Sequence, residues 1–335
     1  MRRNLIQDNK ETVLVYVTGD RIGDGILKFP VIRAFKESNP RTKLIWTTGI
    51  NPSVFLGSLS ELGTGLLDEI HEKSGIGSLP RKKRVKWDHK IDTVICTEAS
   101  LSSTFFLKRI RANTFISPAA RFMFSSLRPQ ENYGEQSVYE KFLTLMNLVS
   151  QKPLTPNVDI PIPRDFSDYA RNRLKGPGIF VGLNPGASSS EKRWPIKFFI
   201  DIAKLLAARE IVPTFFLGPM EGNLKSDIEH QIPSAIFPEN EFGSQKNKSP
   251  LLTIALAQKL AFSLVNDSGG GHLIAAGGNT TITLFNNRRG MKFRSPFCKQ
   301  IALNAADFKV NKVQAIPYKP VLKAVERILE NSSIA

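Results

Sequence analysis

The strongest constraint on this chain is a repeated order of short β-branched runs, each followed by a segment with apolar residues at helical spacing. "TVLVYVTG" (12–19) reads as a strand ending in a glycine-containing loop, and "ILKFPVIRAFKESNP" (26–40) as a helix stopped by proline. "TKLIWTTG" (42–49) and "IDTVICTE" (91–98) are further strand-like runs before residue 150. Strands alternating with helices in this way imply a parallel sheet covered by helices.

The stretch "QKPLTPNVDIPIPRDFSDYARNRLKGPG" (151–178) holds five prolines and mostly lacks either period, so it reads as the connection between two domains. The alternation then restarts in "GIFVGLNPG" (178–186), "PIKFFIDIAKLLAARE" (195–210), "IVPTFFLG" (211–218), "KLAFSLVND" (259–267) and "TTITLF" (280–285). It closes with a helix at "KPVLKAVERILE" (319–330). The expectation is two α/β units, residues 1–165 and 166–335, in keeping with a length of 335 residues. Two such units facing across a cleft would hold a ligand at the carboxyl ends of their strands.

Composition narrows the partners. The 46 Lys and Arg against 30 Asp and Glu, a net charge of +16, favour anions: nucleic acid, phospholipid headgroups or phosphorylated substrates. The densest basic run is "RKKRVK" (81–86), either a solvated face or an attractor of an anionic surface. In "FFLKRIRANTFISPAARFMF" (105–124), Phe105, Phe106, Phe115, Phe122 and Phe124 interleave with Lys108, Arg109, Arg111 and Arg121. That pattern suits a membrane-proximal acceptor site or an RNA surface.

The N-terminus places Gln7 to Glu11 where a signal peptide needs its apolar core, and no apolar run reaches the ~18 residues of a membrane span, so a cytoplasmic protein is expected. Two cysteines and four scattered histidines give neither a disulfide framework nor a metal-ligand cluster, and Cys96 and Cys298 read as small buried apolar residues. GxGxxG, GxxxxGK[ST] and GxSxG are all absent, which removes support for a Walker-type nucleotide hydrolase and for α/β-hydrolase chemistry.

Three loops carry the chemistry. "VTGDRIGDGILKFP" puts Asp20 and Asp24 ahead of a helix, where Asp24 is either an N-cap or a working carboxylate. "NPGASSSEKRWP" (184–195) joins hydroxyls on Ser188 and Ser189 to the cations Lys192 and Arg193, a composition able to wrap anionic oxygens. "LVNDSGGGHLIAAGG" (264–278) has Asp267 or Ser268 to cap a helix, glycines that let backbone N–H groups approach a ligand, and His272 one turn in.

In their order and separation these loops resemble glycosyltransferase family 9, the ADP-heptose:lipopolysaccharide heptosyltransferases. "RIGDGILKFPVIRAFKESNP" is similar to the family's N-terminal signature, "NPGASSSEKRWPIKFF" to its P-G-A/S loop ending in K-R-W-P, and "LVNDSGGGHLIAAGGNTTITLF" to its N-D-[TS]-G-x-x-H-[LI]-x-A-A segment. The resemblance covers roughly residues 11–290. It implies a GT-B fold of two Rossmann-like domains, with the acceptor on the first and the nucleotide sugar mainly on the second. It also implies inversion at the anomeric carbon with no catalytic metal and no cofactor, and the chain has no DxD pair.

The roles implied position by position are Asp24 as general base and Lys192 as stabiliser of the departing diphosphate. Ser188, Ser189, Arg193, Asp267, Ser268, Gly269, Gly270 and His272 would hold the diphosphate and sugar, and Glu221 in "LGPMEGN" would lie near the nucleotide ribose. The implied partners are ADP-heptose and a phosphorylated glycolipid at an anionic inner leaflet. Arg81, Lys82, Lys83, Arg84, Lys108, Arg109 and Arg111 would serve the acceptor and membrane side. The chain departs from the family in "LFNNRRG", where Asn286 replaces a Gly and Arg288 and Arg289 are inserted, and in Gly278-Asn279-Thr280, where the family favours G-x-P. The competing reading is a degenerate, non-catalytic GT-B protein that binds anionic lipid or nucleic acid. No nucleic-acid motif of recognised spacing supports its second form.

Overall fold

The computed structural model describes residues 11–76, 87, 90–130, 133–176, 178–218, 220–242, 249–286 and 292–331. The chain divides into two compact units, residues 1–136 with 140–157, and residues 158–335 with 137–139.

In the first unit the order is β1 (Thr12–Val17), α1 (Ile22–Ser38), β2 (Lys43–Thr48), α2 (Ser60–Gly63), β3 (Glu69–His71), β4 (Thr93–Cys96), α3 (Leu101–Leu107), β5 (Thr114–Ile116) and α4 (Val138–Asn147). The strands form one parallel sheet in the order β3-β2-β1-β4-β5. All six residues of β1 are buried, as expected of a central strand covered on both faces, whose sequence then reads as an unbroken apolar run. Trp46 of β2 is fully buried and takes edge-on contacts from Phe55 and Phe142.

The second unit runs α5 (Arg164–Arg173), β6 (Phe180–Asn184), α6 (Ile196–Ala207), β7 (Val212–Phe215), α7 (Leu224–Gln231), α8 (Pro238–Glu241), α9 (Pro250–Ala257), β8 (Phe262–Asn266), α10 (Gly269–Ala275), β9 (Thr280–Phe285), β10 (Gln300–Asn304) and α11 (Tyr318–Asn331). Its parallel sheet has the order β10-β9-β8-β6-β7. One core cluster joins Phe199, Ile202 and Leu206 of α6 to the sheet residues Val181, Leu183, Leu264 and Ile282 and to Val321, Val325 and Leu329 of α11.

Two sequence expectations change. α1 begins at Ile22 and runs through Pro30, so Asp24 stands inside the first turn. The stretch 151–178 contains α5, whose Phe166, Tyr169 and Ala170, with Leu174 at the C-cap, make a face packed with Leu252 and Leu256 of α9. The described prolines of the stretch lie ahead of the helix, Pro163 at its N-cap, and their density masked that spacing; Pro177 lies outside the described residues. Cys96 is buried, which pushes its thiol up to about 12, whereas Cys298 is only half-buried. Among the described residues no helix is long and apolar enough to cross a membrane.

One segment is strained. Ala120, Arg121 and Phe122 take φ of 47°, 54° and 64°, a left-handed run that costs L-residues roughly 1–2 kcal/mol each. Hydrogen bonds hold both sides of it: Ser125 Oγ donates to the Ser117 carbonyl at 2.8 Å, and the Ser126 N–H donates to the Phe115 carbonyl at 2.7 Å. Phe122 is buried with its ring edge-on to Tyr133.

Candidate active site

In the second sheet the chain moves from β6 outward to β7, then returns to lay β8 on the other side of β6. The loops leaving the carboxyl ends of β6 and β8 therefore diverge and leave a crevice between them. These are the loops 184–195 and 266–269, so strand order brings together two motifs that lie far apart in sequence.

Two asparagines join the loops. Asn184 donates from Nδ2 to the Phe216 carbonyl at 2.9 Å and accepts from Ser268 Oγ at 3.2 Å. Asn266, fully buried, donates to the Pro185 carbonyl at 2.8 Å and accepts from the Trp194 N–H at 3.2 Å. The Trp194 indole donates to the Ile316 carbonyl at 2.9 Å, and its ring stacks on Tyr318. The 184–194 loop is thus pinned at both ends, which fixes the short 3-10 turn Ser190–Lys192 between them.

Lys192 leaves that turn with its Nζ 3.0 Å from Asp267 Oδ2. Asp267 is 7% exposed, Lys192 34%, so the ammonium keeps an open side. The other Asp267 oxygen lies 3.7 Å from His272 Nε2. Ser268, not Asp267, caps α10 by accepting from the Gly271 N–H at 3.1 Å. A side chain at Gly271 would put Cβ 2.5 Å from the Asn266 carbonyl oxygen, so this position excludes anything larger. The N–H groups of Gly269 and Gly270 open the helix and have no intrahelical acceptor.

Glu221 completes the group. It is 7% exposed, and no described residue donates a hydrogen bond to its carboxylate. Its Oε2 lies 2.9 Å from where a Cβ at Gly186 would stand and 2.8 Å from one at Gly218, so both glycines leave room for this acid. With no donor on it among the described residues, this carboxylate is open to hydroxyl donors of a ligand. Ser188 and Ser189 are exposed, and Arg193 donates from Nε to the Ala187 carbonyl at 3.0 Å. Together the arrangement offers an ammonium and open N–H groups to an anion, and two carboxylates to hydroxyls.

In the first sheet the order changes direction between β1 and β4, and Asp24 lies in the loop-helix junction after β1. The α1 N-cap is Arg21 and lacks a side-chain bond, so Asp24 is not the cap; it is half-buried with no hydrogen bond or ion pair among the described residues. Beside it Asp20 is buried, with Oδ2 accepting from the Trp46 indole at 2.7 Å and from Ser53 Oγ at 3.2 Å. Its Oδ1 faces Lys28 Nζ at 3.7 Å, and burial holds the Asp20 carboxyl above the usual carboxylate range. Glu98, at the end of β4, accepts from the Thr18 N–H at 3.4 Å.

Sequence reasoning missed Asn184 and Asn266 as the fasteners of the 184–195 and 266–269 loops, and Lys28 with Trp46 as the setting of Asp20. The N-P and N-D pairs in the two motifs were the available signal for the first. Lys108, Arg109 and Arg111 are all exposed at the end of α3, while Arg81, Lys82, Lys83 and Arg84 lie outside the described residues. Asn286 has a structural job, accepting from the Val313 N–H at 2.8 Å, and Asn279 donates to the Ala257 carbonyl at 2.9 Å. Arg288 and Arg289 lie outside the described residues. Among those described, no three His, Cys, Asp or Glu side chains are grouped to hold a metal ion.

The fold is similar to that of a family 9 glycosyl transferase from Veillonella parvula, at 18% identity and a TM-score of 0.67 over 96% of this chain and 97% of that one. E. coli heptosyltransferase WaaC with ADP matches at 15% identity and 0.64 over 97% and 100%, and E. coli ADP-heptose LPS heptosyltransferase II at 14% and 0.62 over 96% and 99%. No curated protein sequence is significantly similar. These likenesses are of fold: two parallel-sheet α/β domains of the GT-B kind. The sequence model of glycosyltransferase family 9 (heptosyltransferase) matches residues 83–316, well over half the chain, and the protein accordingly belongs to that family of enzymes.

Proposed function

We propose that this glycosyltransferase moves a heptose, with inversion and without a metal, from ADP-heptose to a phosphorylated glycolipid of the lipopolysaccharide-core type. The observation that carries the reading is the Lys192–Asp267–His272 group beside the donor-free Glu221, all set on the family's own loops.

In this mechanism the acceptor hydroxyl oxygen attacks the anomeric carbon as the bond to the diphosphate oxygen breaks, and Asp24 takes the hydroxyl proton. Charge builds on the leaving diphosphate, where Lys192 and the N–H groups of Gly269 and Gly270 stabilise it. Arg193, Ser188 and Ser189 add donors along the same loop. Asp267 cannot donate to phosphate, so it orients Lys192 and His272 and accepts from sugar hydroxyls. Glu221 accepts from the ribose diol. The protein works in the cytoplasm at the anionic inner leaflet, with Arg81, Lys82, Lys83, Arg84, Lys108, Arg109 and Arg111 on the acceptor and membrane side.

Thermal stabilisation by ADP, UDP and GDP tests the donor, since a ligand at 100 times its Kd stabilises the native state by about 2.7 kcal/mol. ADP should raise the melting temperature most, and transfer from ADP-heptose should persist in EDTA. Greater stabilisation by UDP or GDP, or activity abolished by EDTA, would contradict the reading.

A further inference from the structure

The sequence suggested a stripe of phenylalanines among the cations of residues 105–124, but Phe115 and Phe122 are in the core and Phe124 is half-covered. A different apolar set reaches solvent. Leu101 and Phe105, one turn apart on α3, are each 49% exposed, and Met123 is 65% exposed. With Leu127 they make up four of the seven exposed large hydrophobics among the described residues.

The backbone is built to present them. Phe122 is anchored in the core, the left-handed run at 120–122 reverses the chain, and the Ser117–Ser125 and Phe115–Ser126 bonds clamp it on both sides, which leaves Met123 facing outward. Phe124 sits edge-on to Phe105 at 4.9 Å between ring centres, and Lys108 Nζ lies 5.5 Å from the Phe124 ring. Between these parts opens a cavity of about 620 Å³, lined by Lys108, Arg111, Asn113, Met123, Ser125 and Ser126.

Along the segment that carries this apolar set the charge has one sign, the nearest acids in sequence being Glu98 and Glu131 at its two ends. From Ala99 to Gln130 the chain has no Asp or Glu, yet Lys108, Arg109, Arg111, Arg121 and Arg128 are all exposed, and none forms an ion pair among the described residues. Unpaired cations rimming protruding Phe, Met and Leu side chains match a surface that is anionic outside and apolar beneath.

We propose that the α3 face of the first unit is an insertion surface for an anionic bilayer. Phe105 and Met123 enter the acyl boundary, and Lys108 and Arg111 seat a lipid headgroup phosphate in the cavity beside them. The proposal deepens the inner-leaflet reading above, on which it rests for location only.

The test uses the full-length chain and vesicles containing no glycolipid, so that a wrong acceptor leaves the result intact. Sedimentation should show binding to phosphatidylcholine mixed with phosphatidylglycerol and little to phosphatidylcholine alone. Phe105→Ser with Met123→Ser should weaken binding about 30-fold, because each half-exposed apolar side chain loses part of its burial. Lys108→Gln and Arg111→Gln should each cost about fivefold. Leu56→Ser, a control at an exposed position elsewhere in the unit, should change nothing. A Met123→Trp variant should shift to the blue on anionic vesicles and be quenched by acyl-chain bromine. Unchanged binding by the double Ser variant, no bromine quenching, or tighter binding to RNA than to anionic vesicles would overturn the proposal. Normal vesicle binding alongside failed transfer to every glycolipid would instead refute the acceptor alone and support the insertion surface.

Discussion

Replacing Lys192 by Met separates leaving-group stabilisation from the upkeep of the loop. The side chain's Nζ is 3.0 Å from Asp267 Oδ2, but it is about one-third exposed, so solvent screening limits what the pair adds to stability. Such a pair contributes at most about 1 kcal/mol, and Met keeps most of the packed stem. A loss of that size moves the melting temperature of a unit this large by roughly 2–4 °C. The loop itself is held by Asn266, Asn184 and Trp194, none of which touches the ammonium. Turnover should fall far more. Removing one preorganised donor from a developing negative charge costs about 10²–10³ in kcat, equivalent to roughly 3–4 kcal/mol. The assay is kcat at saturating donor and acceptor, with donor Kd measured separately by calorimetry. Turnover within about threefold of wild type, or a loss confined to donor Kd with kcat intact, would refute the leaving-group role, because uniform binding leaves kcat unchanged.

Asp24→Asn should leave donor Kd nearly unchanged and lower turnover by about 10²-fold or more; near-normal turnover would rule out this base. Gly186→Ala should displace the Glu221 carboxylate, whose Oε2 would lie 2.9 Å from the new Cβ, and weaken ADP binding. In the Glu221→Ala background the same change should cost almost nothing, and additive losses would sink the coupling. Burial raises the Asp20 carboxyl above 3.8, so the proton favours the folded state. That contribution is complete below pH 3.8 and is lost as pH rises through the higher folded value. Urea unfolding of Asp20→Asn should therefore show a flatter fall of stability with pH across that window, and an unaltered slope would refute it.

The architecture of both units was legible in the sequence because its signals are local. The β-branched runs of β1, β2, β4, β6, β8 and β9 declare a buried parallel strand within half a dozen residues, and Asn, Gly and Pro mark the loops that leave them. β3, β5 and β10 escaped, since these sheet-edge strands bury fewer residues and carry weaker patterns. The loops that leave β1, β6 and β8 were legible too, as breaks of Gly, Asp, Asn and Ser after each apolar run. What joins them was not: Lys192 meets Asp267 across 75 residues, and the Trp194 indole reaches the Ile316 carbonyl across 122. The first exists because β8 lies beside β6, the second because the chain before α11 packs against the 184–195 loop, and both arrangements are chosen by the packing of whole faces. Tertiary structure likewise decided which aromatics of residues 105–124 are core and which side chains meet solvent. A left-handed turn and two serine clamps set that outcome, and neither has a periodicity that a sequence can display.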